Sequence, residues 1–420
     1  PGHESEVSPQ VNTLHAYRDP PPSPRLPRVC VGWAGRATRA LTTGLSALAL
    51  AAGALTLVPA PARADDVITT QEYFSYYHLD TARAKGYTGK GVTIALIDGP
   101  VDTSAPELKG ANITDKSRCT IEGSGSGRSH GTAMASFLVA HDYGVAPDAT
   151  LNVYQVSNKS SISAGSCETG GQKLDTFAEL INRAIDDGAQ VISISQGVPD
   201  RDDNLKWAVA RAMSRGVIII ASVGNEGSDS NDTHLSQWSG VVGVSAIKSD
   251  GSFADYSSWG NGVTTAAIGE PFTRRDYETG QNETTTGTSN STAITSGMLA
   301  LARQKWPDAT ANQILQVLTH TGLNPNHEWN KYTGYGAVNP SALVNTDPSQ
   351  YPDENPLAQK QGGSAPTAQE VQDYGDGLAD PDELPADASY AYRGTDEFLL
   401  RDPDTKATIH LGTSPRYHRK

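Results

Sequence analysis

From residue 65 onward the chain alternates between two hydrophobic periodicities. Continuous apolar runs stand at 92–97, 151–156, 191–195, 217–223 and 241–247. Each has the length of a strand and is apolar at consecutive positions, which predicts strands buried on both faces. Between them the apolar residues space out to threes and fours. Leu174, Phe177, Ile181, Ala184 and Ile185 fall on one helical face, and that run stops at Gly188. Leu205, Ala208, Val209, Ala212 and Met213 fall on another, which stops at Gly216. Two more helices are predicted later, one through Ile294, Met298, Leu299, Leu301 and Ala302, the other around Ile314, Leu315, Val317 and Leu318. Buried strands alternating with amphipathic helices that end in Gly imply an α/β class, a three-layer α/β/α domain with a mostly parallel central sheet. Reacting groups then belong at the carboxyl ends of the strands.

Both ends of the chain break this pattern. Residues 1–24 are polar and Pro-rich; Arg25, Arg28, Arg36 and Arg39 follow, then an uncharged apolar run over 41–59 and Ala62-Arg63-Ala64. A basic region, an apolar region and an A-x-A site describe a secretory signal over 1–64, cleaved near Ala64. The competing reading is an uncleaved anchor, since the run approaches the ~20 residues a membrane span needs. Its small residues favour cleavage, which leaves no stable membrane span in the mature chain and predicts a secreted protein. The stretch from Asp65 to Lys90 is too short for a folded pro-domain. Within it, Tyr73-Phe74-Ser75-Tyr76-Tyr77 is aromatic enough to pack on the domain as an extension. After a domain over 65–345, residues 346–420 shift to Asp, Pro, Gly, Ala and Gln and predict an acidic, mostly disordered tail. Segments 397–400 and 408–411 could pair there, but a lone hairpin is marginal.

Composition narrows the partners. The 420 residues carry a net charge of −14, which argues against nucleic acid. Charged residues are 19% of the chain, and Gly 41 and Pro 25 point to many turns around a sizeable core. Of the three cysteines, Cys30 precedes the apolar run, so Cys119 and Cys167 stay in the mature chain. Each lies on a connection leaving a strand at the carboxyl edge of the sheet. In an oxidising compartment they are predicted to form a disulfide.

Four stretches carry candidate chemistry. Ile97-Asp98-Gly99-Pro100-Val101-Asp102 puts a carboxylate directly after a buried strand, where it needs a hydrogen bond or a function; a turn-forming Asp is the bland alternative. Gly123-Ser124-Gly125-Ser126-Gly127-Arg128-Ser129 reads as a mobile loop, because no strand directly precedes it and no Gly-Lys-Ser/Thr ends it as a phosphate loop requires. His130 then opens a predicted helix of small apolar residues. Asn225, in Gly224-Asn225-Glu226-Gly227 after the 217–223 strand, is either a turn residue or an uncharged donor for an oxyanion. Gly287-Thr288-Ser289-Asn290-Ser291 leads into the Ile294 helix, so Ser289 sits in a first turn, where the helix dipole favours developing negative charge.

In order along the chain, Asp98, His130, Asn225 and Ser289 with these flanks resemble the subtilisin-like serine proteases (subtilases, peptidase family S8), over about 87–344. Gly86-Tyr87-Thr88-Gly89-Lys90-Gly91-Val92 is similar to that family's entry into its first core strand. The resemblance implies a serine endopeptidase that forms an acyl-enzyme. Ser289 is its nucleophile, His130 the base, Asp98 the residue orienting the imidazole, and Asn225 an oxyanion donor. It also implies that Ser195-Gln196-Gly197 and Ser222-Val223-Gly224 wall the pocket for the residue before the scissile bond. The substrate is a protein or peptide, the chain is expected to be a monomer, and no metal enters the chemistry; structural calcium stays open.

The pattern departs from the family in three places. Gly99-Pro100 follows the acid where the family has a small hydroxyl residue and Gly. Asn290 and Ala293 stand where an apolar or small residue and a Pro are usual. The Asp-Gly-Pro-Val-Asp version resembles the subtilases that process cyanobactin-type peptides. Two alternatives to a general secreted endopeptidase therefore stand: a narrow processing protease for an exported peptide or protein, and a catalytically inactive binding module on the same fold.

Overall fold

Each of the five apolar runs forms a strand of one sheet. The structure is a computed structural model that describes residues 67–394 except 120–123, 157–166, 170–171, 199–202, 231–233, 325, 327 and 361–364. The predicted signal over 1–64, with Cys30, and the possible hairpin over 397–411 lie outside the described residues.

In chain order the elements are α1 (Glu72–Tyr76), α2 (Leu79–Ala84), β1 (Thr93–Asp98), β2 (Ile113–Asp115), α3 (Gly125–Val139) and β3 (Thr150–Gln155). The short strands β4 (Glu168–Thr169) and β5 (Gln172–Lys173) pair with each other, and α4 (Phe177–Asp186), β6 (Val191–Ile194), α5 (Asp203–Ser214), β7 (Ile218–Ser222) and β8 (Val241–Ile247) follow. Then come β9 (Val263–Ile268), a hairpin of β10 (Phe272–Arg275) and β11 (Asn282–Thr285), α6 (Thr288–Lys305), α7 (Ala311–His320), α8 (Pro340–Asn345) and α9 (Ala368–Asp376).

Among the described residues seven strands form the main sheet, in the order β2-β3-β1-β6-β7-β8-β9, and every pairing in it is parallel. Ile94 lies opposite both Leu151 and Val191, so β1 is central, and the order runs outward from it in both directions. Such a reversal opens a crevice at the carboxyl end of the strand, and Asp98 is the last residue of β1.

Period-two side-chain direction sorts β1 between two apolar layers. Ile94 and Leu96 pack with α3, α6 and α7, while Ala95 and Ile97 pack with α4 and α5. Two strands escape the apolar pattern. Strand β2 is only three residues long, and β9 reads Val-Thr-Thr-Ala-Ala-Ile. The two threonines of β9 are nevertheless buried, because Thr264 Oγ1 accepts from Gly243 N and Thr265 Oγ1 donates to the Gly336 carbonyl. A bonded hydroxyl can enter the core where a bare one cannot.

The aromatic stretch before β1 packs as an extension of the domain. Tyr73 is fully buried, stacks on Phe272 at 4.8 Å and donates its hydroxyl to the Tyr143 carbonyl at 2.9 Å. Tyr77 Oη accepts from Ile268 N at the end of β9.

Beyond 345 the structure departs from the expected tail. Residues 346–394 carry α9 and a small cluster in which Tyr374, Ala379, Leu384, Tyr390 and Tyr392 cover Trp207 and Ala210 of α5. The segment lacks helical periodicity because its apolar residues are mostly aromatic and spaced by turns. Thr367 caps α9 with a full capping box to Glu370, and Lys206 reaches Glu370 at 2.9 Å. Residues 395–420 lie outside the described residues.

Candidate active site

The crevice at the end of β1 gathers the candidates from four elements. Asp98 is fully buried and its Oδ1 meets His130 Nδ1 at 2.8 Å. That contact fixes which ring nitrogen carries the proton when the imidazole is neutral, leaving Nε2 as the basic one. The His130 side chain retains 25% exposure against 1% for Asp98. Burial works against a charged imidazole, but the Asp98 charge and its hydrogen bond outweigh burial, so the pKa of His130 is raised above its ordinary value.

His130 does not open its helix. Helix α3 begins at Gly125, so the stretch expected to be a mobile loop is already helical from there and His130 stands in the second turn. Side-chain partners make up for poor helix formers. Ser124 caps Gly127 N at 3.0 Å, and the β10–β11 hairpin holds the same turn. Its Glu278 carboxylate accepts from Ser126 N at 3.1 Å, its Asp276 from Ser129 Oγ at 3.2 Å, and Tyr277 N donates to Ser129 Oγ at 2.8 Å. Gly131 lets the helix lie directly on the turn after β1. A Cβ there would stand 2.6 Å from the Pro100 carbonyl oxygen and 2.7 Å from that of Gly99. The Gly99-Pro100 departure from the family pattern is therefore where acid and base are packed together.

Ser289 is the second residue of α6. Between buried Gly287, Thr288 and Asn290 it alone keeps partial exposure. Its Oγ donates to the Ser195 carbonyl at 2.9 Å, and Ser195 Oγ donates back to the Ser289 carbonyl at 3.1 Å. The structure thus does not bond the serine to His130; the hydroxyl has to exchange the Ser195 carbonyl for the imidazole before it can be deprotonated. Asn290 and Ala293 leave α6 unbroken: Asn290 Nδ2 donates to the Gly269 carbonyl at 3.0 Å, and Ala293 is fully buried.

Asn225 is exposed on the loop after β7. Its Oδ1 accepts from Thr288 N at 2.8 Å and from Thr288 Oγ1 at 3.0 Å. The first N–H of α6 thereby gains a partner, and the Asn225 amide is turned so that its Nδ2 is the end left to donate. The Ser289 N–H lies in the first turn of the same helix, one residue after the Thr288 N–H that Asn225 accepts from.

The two segments expected to wall a pocket follow neighbouring strands, since β6 pairs with β7. Gly197 is exposed, and Gly224 and Gln196 are partly so. Ser195, Ser222 and Val223 are buried. Gln196 does something spacing does not reveal: its Nε2 donates to Asp98 Oδ1 at 2.9 Å. Cys119 and Cys167 stand with Cα atoms 5.7 Å apart, the separation of a disulfide, beside the approach to α3. Among the described residues no group of three or more His, Cys, Asp or Glu side chains is arranged to hold a metal.

Residues 89–336 match the model of the subtilase family. Subtilisin DY of Bacillus licheniformis is 30% identical over 279 residues, which covers 63% of this chain and 95% of that protein. Among solved structures, the MycP3 protease from the type VII (ESX-3) secretion system aligns with a TM-score of 0.53 and 26% identity, covering 65% of this chain and 88% of the other. A mutant of the protease domain of PatA aligns with a TM-score of 0.51 and 25% identity, covering 60% and 93%.

Proposed function

The chain belongs to the subtilase family of serine endopeptidases, and from that premise we propose that Asp98, His130, Ser289 and Asn225 are its working groups in an exported protein. The observation that carries this reading is the 2.8 Å contact of His130 Nδ1 with a fully buried Asp98 in the crevice where α6 also brings Ser289. His130 Nε2 takes the Ser289 proton as Oγ adds to the substrate carbonyl. The oxyanion accepts from Asn225 Nδ2 and the Ser289 N–H. The imidazolium, held by Asp98, gives its proton to the leaving amine, and water repeats the sequence to release the acid. No proton transfer in this scheme needs a metal.

Labelling with a fluorophosphonate separates an enzyme from an inactive binding module. The wild type is expected to label at one site and Ser289→Ala to lose both label and peptidase activity while keeping its melting temperature. Near-wild-type turnover of the Ala variant would remove Ser289 from the reaction.

Likeness to MycP3, a protease from a type VII secretion system, supports a second reading, a processing protease acting on few bonds of an exported peptide or protein. Digestion of an unfolded protein distinguishes the two. Many cuts favour a general endopeptidase, and one or none, with retained fluorophosphonate labelling, favours narrow processing. Export rests on the leader read at 1–64. Among the described residues no helix is long and apolar enough to cross a membrane.

A further inference from the structure

The three-residue segment after β6 touches both the acid and the nucleophile. Ser195 exchanges two hydrogen bonds with Ser289, and the next residue, Gln196, reaches Asp98. The carboxylate is unevenly used. Oδ1 accepts from Gly99 N at 2.6 Å, His130 Nδ1 at 2.8 Å and Gln196 Nε2 at 2.9 Å, whereas Oδ2 is buried without a partner among the described residues. A carboxylate oxygen offers two in-plane lone pairs, so three donors on one oxygen compete. The amide also directs the positive end of its dipole at the charge that stabilises the imidazolium.

We propose that Gln196 is a positioning residue of the triad: its carboxamide shares Asp98 Oδ1 with His130 and so limits how tightly the carboxylate holds the protonated imidazole. The inference rests on the serine-peptidase reading above and gives this side chain a role apart from walling a pocket. It works through Asp98 and touches no reacting atom. Too strong a grip on the imidazolium would leave His130 protonated and unable to act as base. A shared oxygen keeps its basicity nearer the working range, where proton transfer is most effective.

Among the described residues the charged groups that face His130 are few. Asp98 from β1 raises its affinity for a proton, and Arg274 from β10 lowers it, although Arg274 is itself paired with Glu283 at 2.8 Å. Asp276 from the hairpin meets the same helix at Ser129, and Arg128 stands over the Tyr277 ring in the turn before. None of these donates to Asp98, and the Gln196 Nε2 contact with Oδ1 joins this side chain to His130 through the carboxylate.

The test is the pH profile of fluorophosphonate labelling and of kcat/KM for wild type, Gln196→Leu and Gln196→Glu, each checked for a folded melt. In wild type the acidic limb reports the His130 titration. Gln196→Leu keeps the size of the side chain and removes the donor, so the limb is expected to move up by about half to one pH unit. Labelling on that limb should then fall several-fold relative to each variant's own alkaline plateau. Gln196→Glu sets a second carboxylate against Asp98 and should move the limb further in the same direction. An unmoved limb with only KM altered would overturn the inference and leave Gln196 as a pocket wall. So would a limb moved downward in both variants. If wild type itself fails to label, the serine-peptidase reading falls, and the positioning role falls with it; a labelled wild type with an unmoved limb sinks the positioning role alone.

Discussion

At the scale of single residues, Asn225 separates binding from catalysis most cleanly. Its amide is held by Thr288 through Oδ1, so Nδ2 is already oriented before substrate arrives. A donor that meets charge only in the transition state affects kcat and not ground-state binding. Asn225→Ala is expected to lower kcat by about 10²–10³ with KM nearly unchanged, the size of loss known for the equivalent donor of a subtilisin and carried over from that relative. A change confined to KM, in steady-state kinetics, would take Asn225 out of the oxyanion site. His130 gives the second expectation. Burial disfavours its charge, yet Asp98 more than compensates and the pKa is raised. As the proposed base His130 acts in its neutral form, so the acidic limb of kcat/KM should lie above the ordinary His value of about 6.5. Stability runs the other way: the contribution of the Asp98–His130 pair is full below that ordinary value and is lost as pH rises through the raised one. Melting temperatures measured across the same range should fall as activity appears. The four proposed groups are named from the sequence by the hydrophobic runs beside them, although His130 stands in the second turn of α3 and not at its start. Gln196 and the Ser195–Ser289 exchange are not, because they depend on how neighbouring loops turn.

At the scale of elements, the periodicities locate α4, α5, α6, α7 and the central strands to within a few residues, but the start of α3 is helical where composition predicts a mobile loop. Gly and Ser are poor helix formers, and nothing local announces a helix at Gly125. The hairpin that supports it lies about 150 positions later in the chain, as the Ser126–Glu278 bond shows. What fixes α3 on the turn after β1 is close backbone approach. Gly131→Ala should force a Cβ to within 2.6–2.7 Å of two carbonyl oxygens, neither of which can swing away. Overpacking of this kind costs about 1–3 kcal/mol. The helix relieves it by lifting His130 off Asp98, so kcat/KM should drop at least tenfold as well, because a displacement near 1 Å costs about 10²-fold in a positioned site. Denaturant titration and steady-state kinetics check the two effects together. A variant with lost stability and intact activity would show that the strain is absorbed away from the Asp98–His130 contact.

For the whole molecule, composition suggests that the peptidase domain ends at 345, yet the described chain from 346 to 394 is tied back onto it. One residue concentrates that attachment. The Lys360 ammonium donates to the carbonyls of Ser236 at 2.9 Å and Gly262 at 2.6 Å and also to that of Val241, so it closes a cage of backbone oxygens beside β8 and β9. Burial works against a charge there, but only the ammonium form has three N–H bonds for three acceptors. The attachment continues through the Lys360 N–H to Ser239 Oγ at 3.2 Å and through Gly240 N to the Leu357 carbonyl at 2.7 Å. Hydropathy cannot register such a contact, since it counts a lysine in an acidic, turn-rich segment as solvated surface. Lys360→Met keeps most of the side-chain volume and leaves the three carbonyls without their donor, which should cost about 1–3 kcal/mol of stability. The cage lies on strands remote from the β1 crevice, so kcat/KM of the folded variant below its melting transition should match wild type. Thermal unfolding followed with activity measured on the same samples tests both halves. If the melting temperature stays at the wild-type value, Lys360 does not anchor the segment; if kcat/KM falls while the protein remains folded, the segment beyond 345 supports the active site as well as the fold.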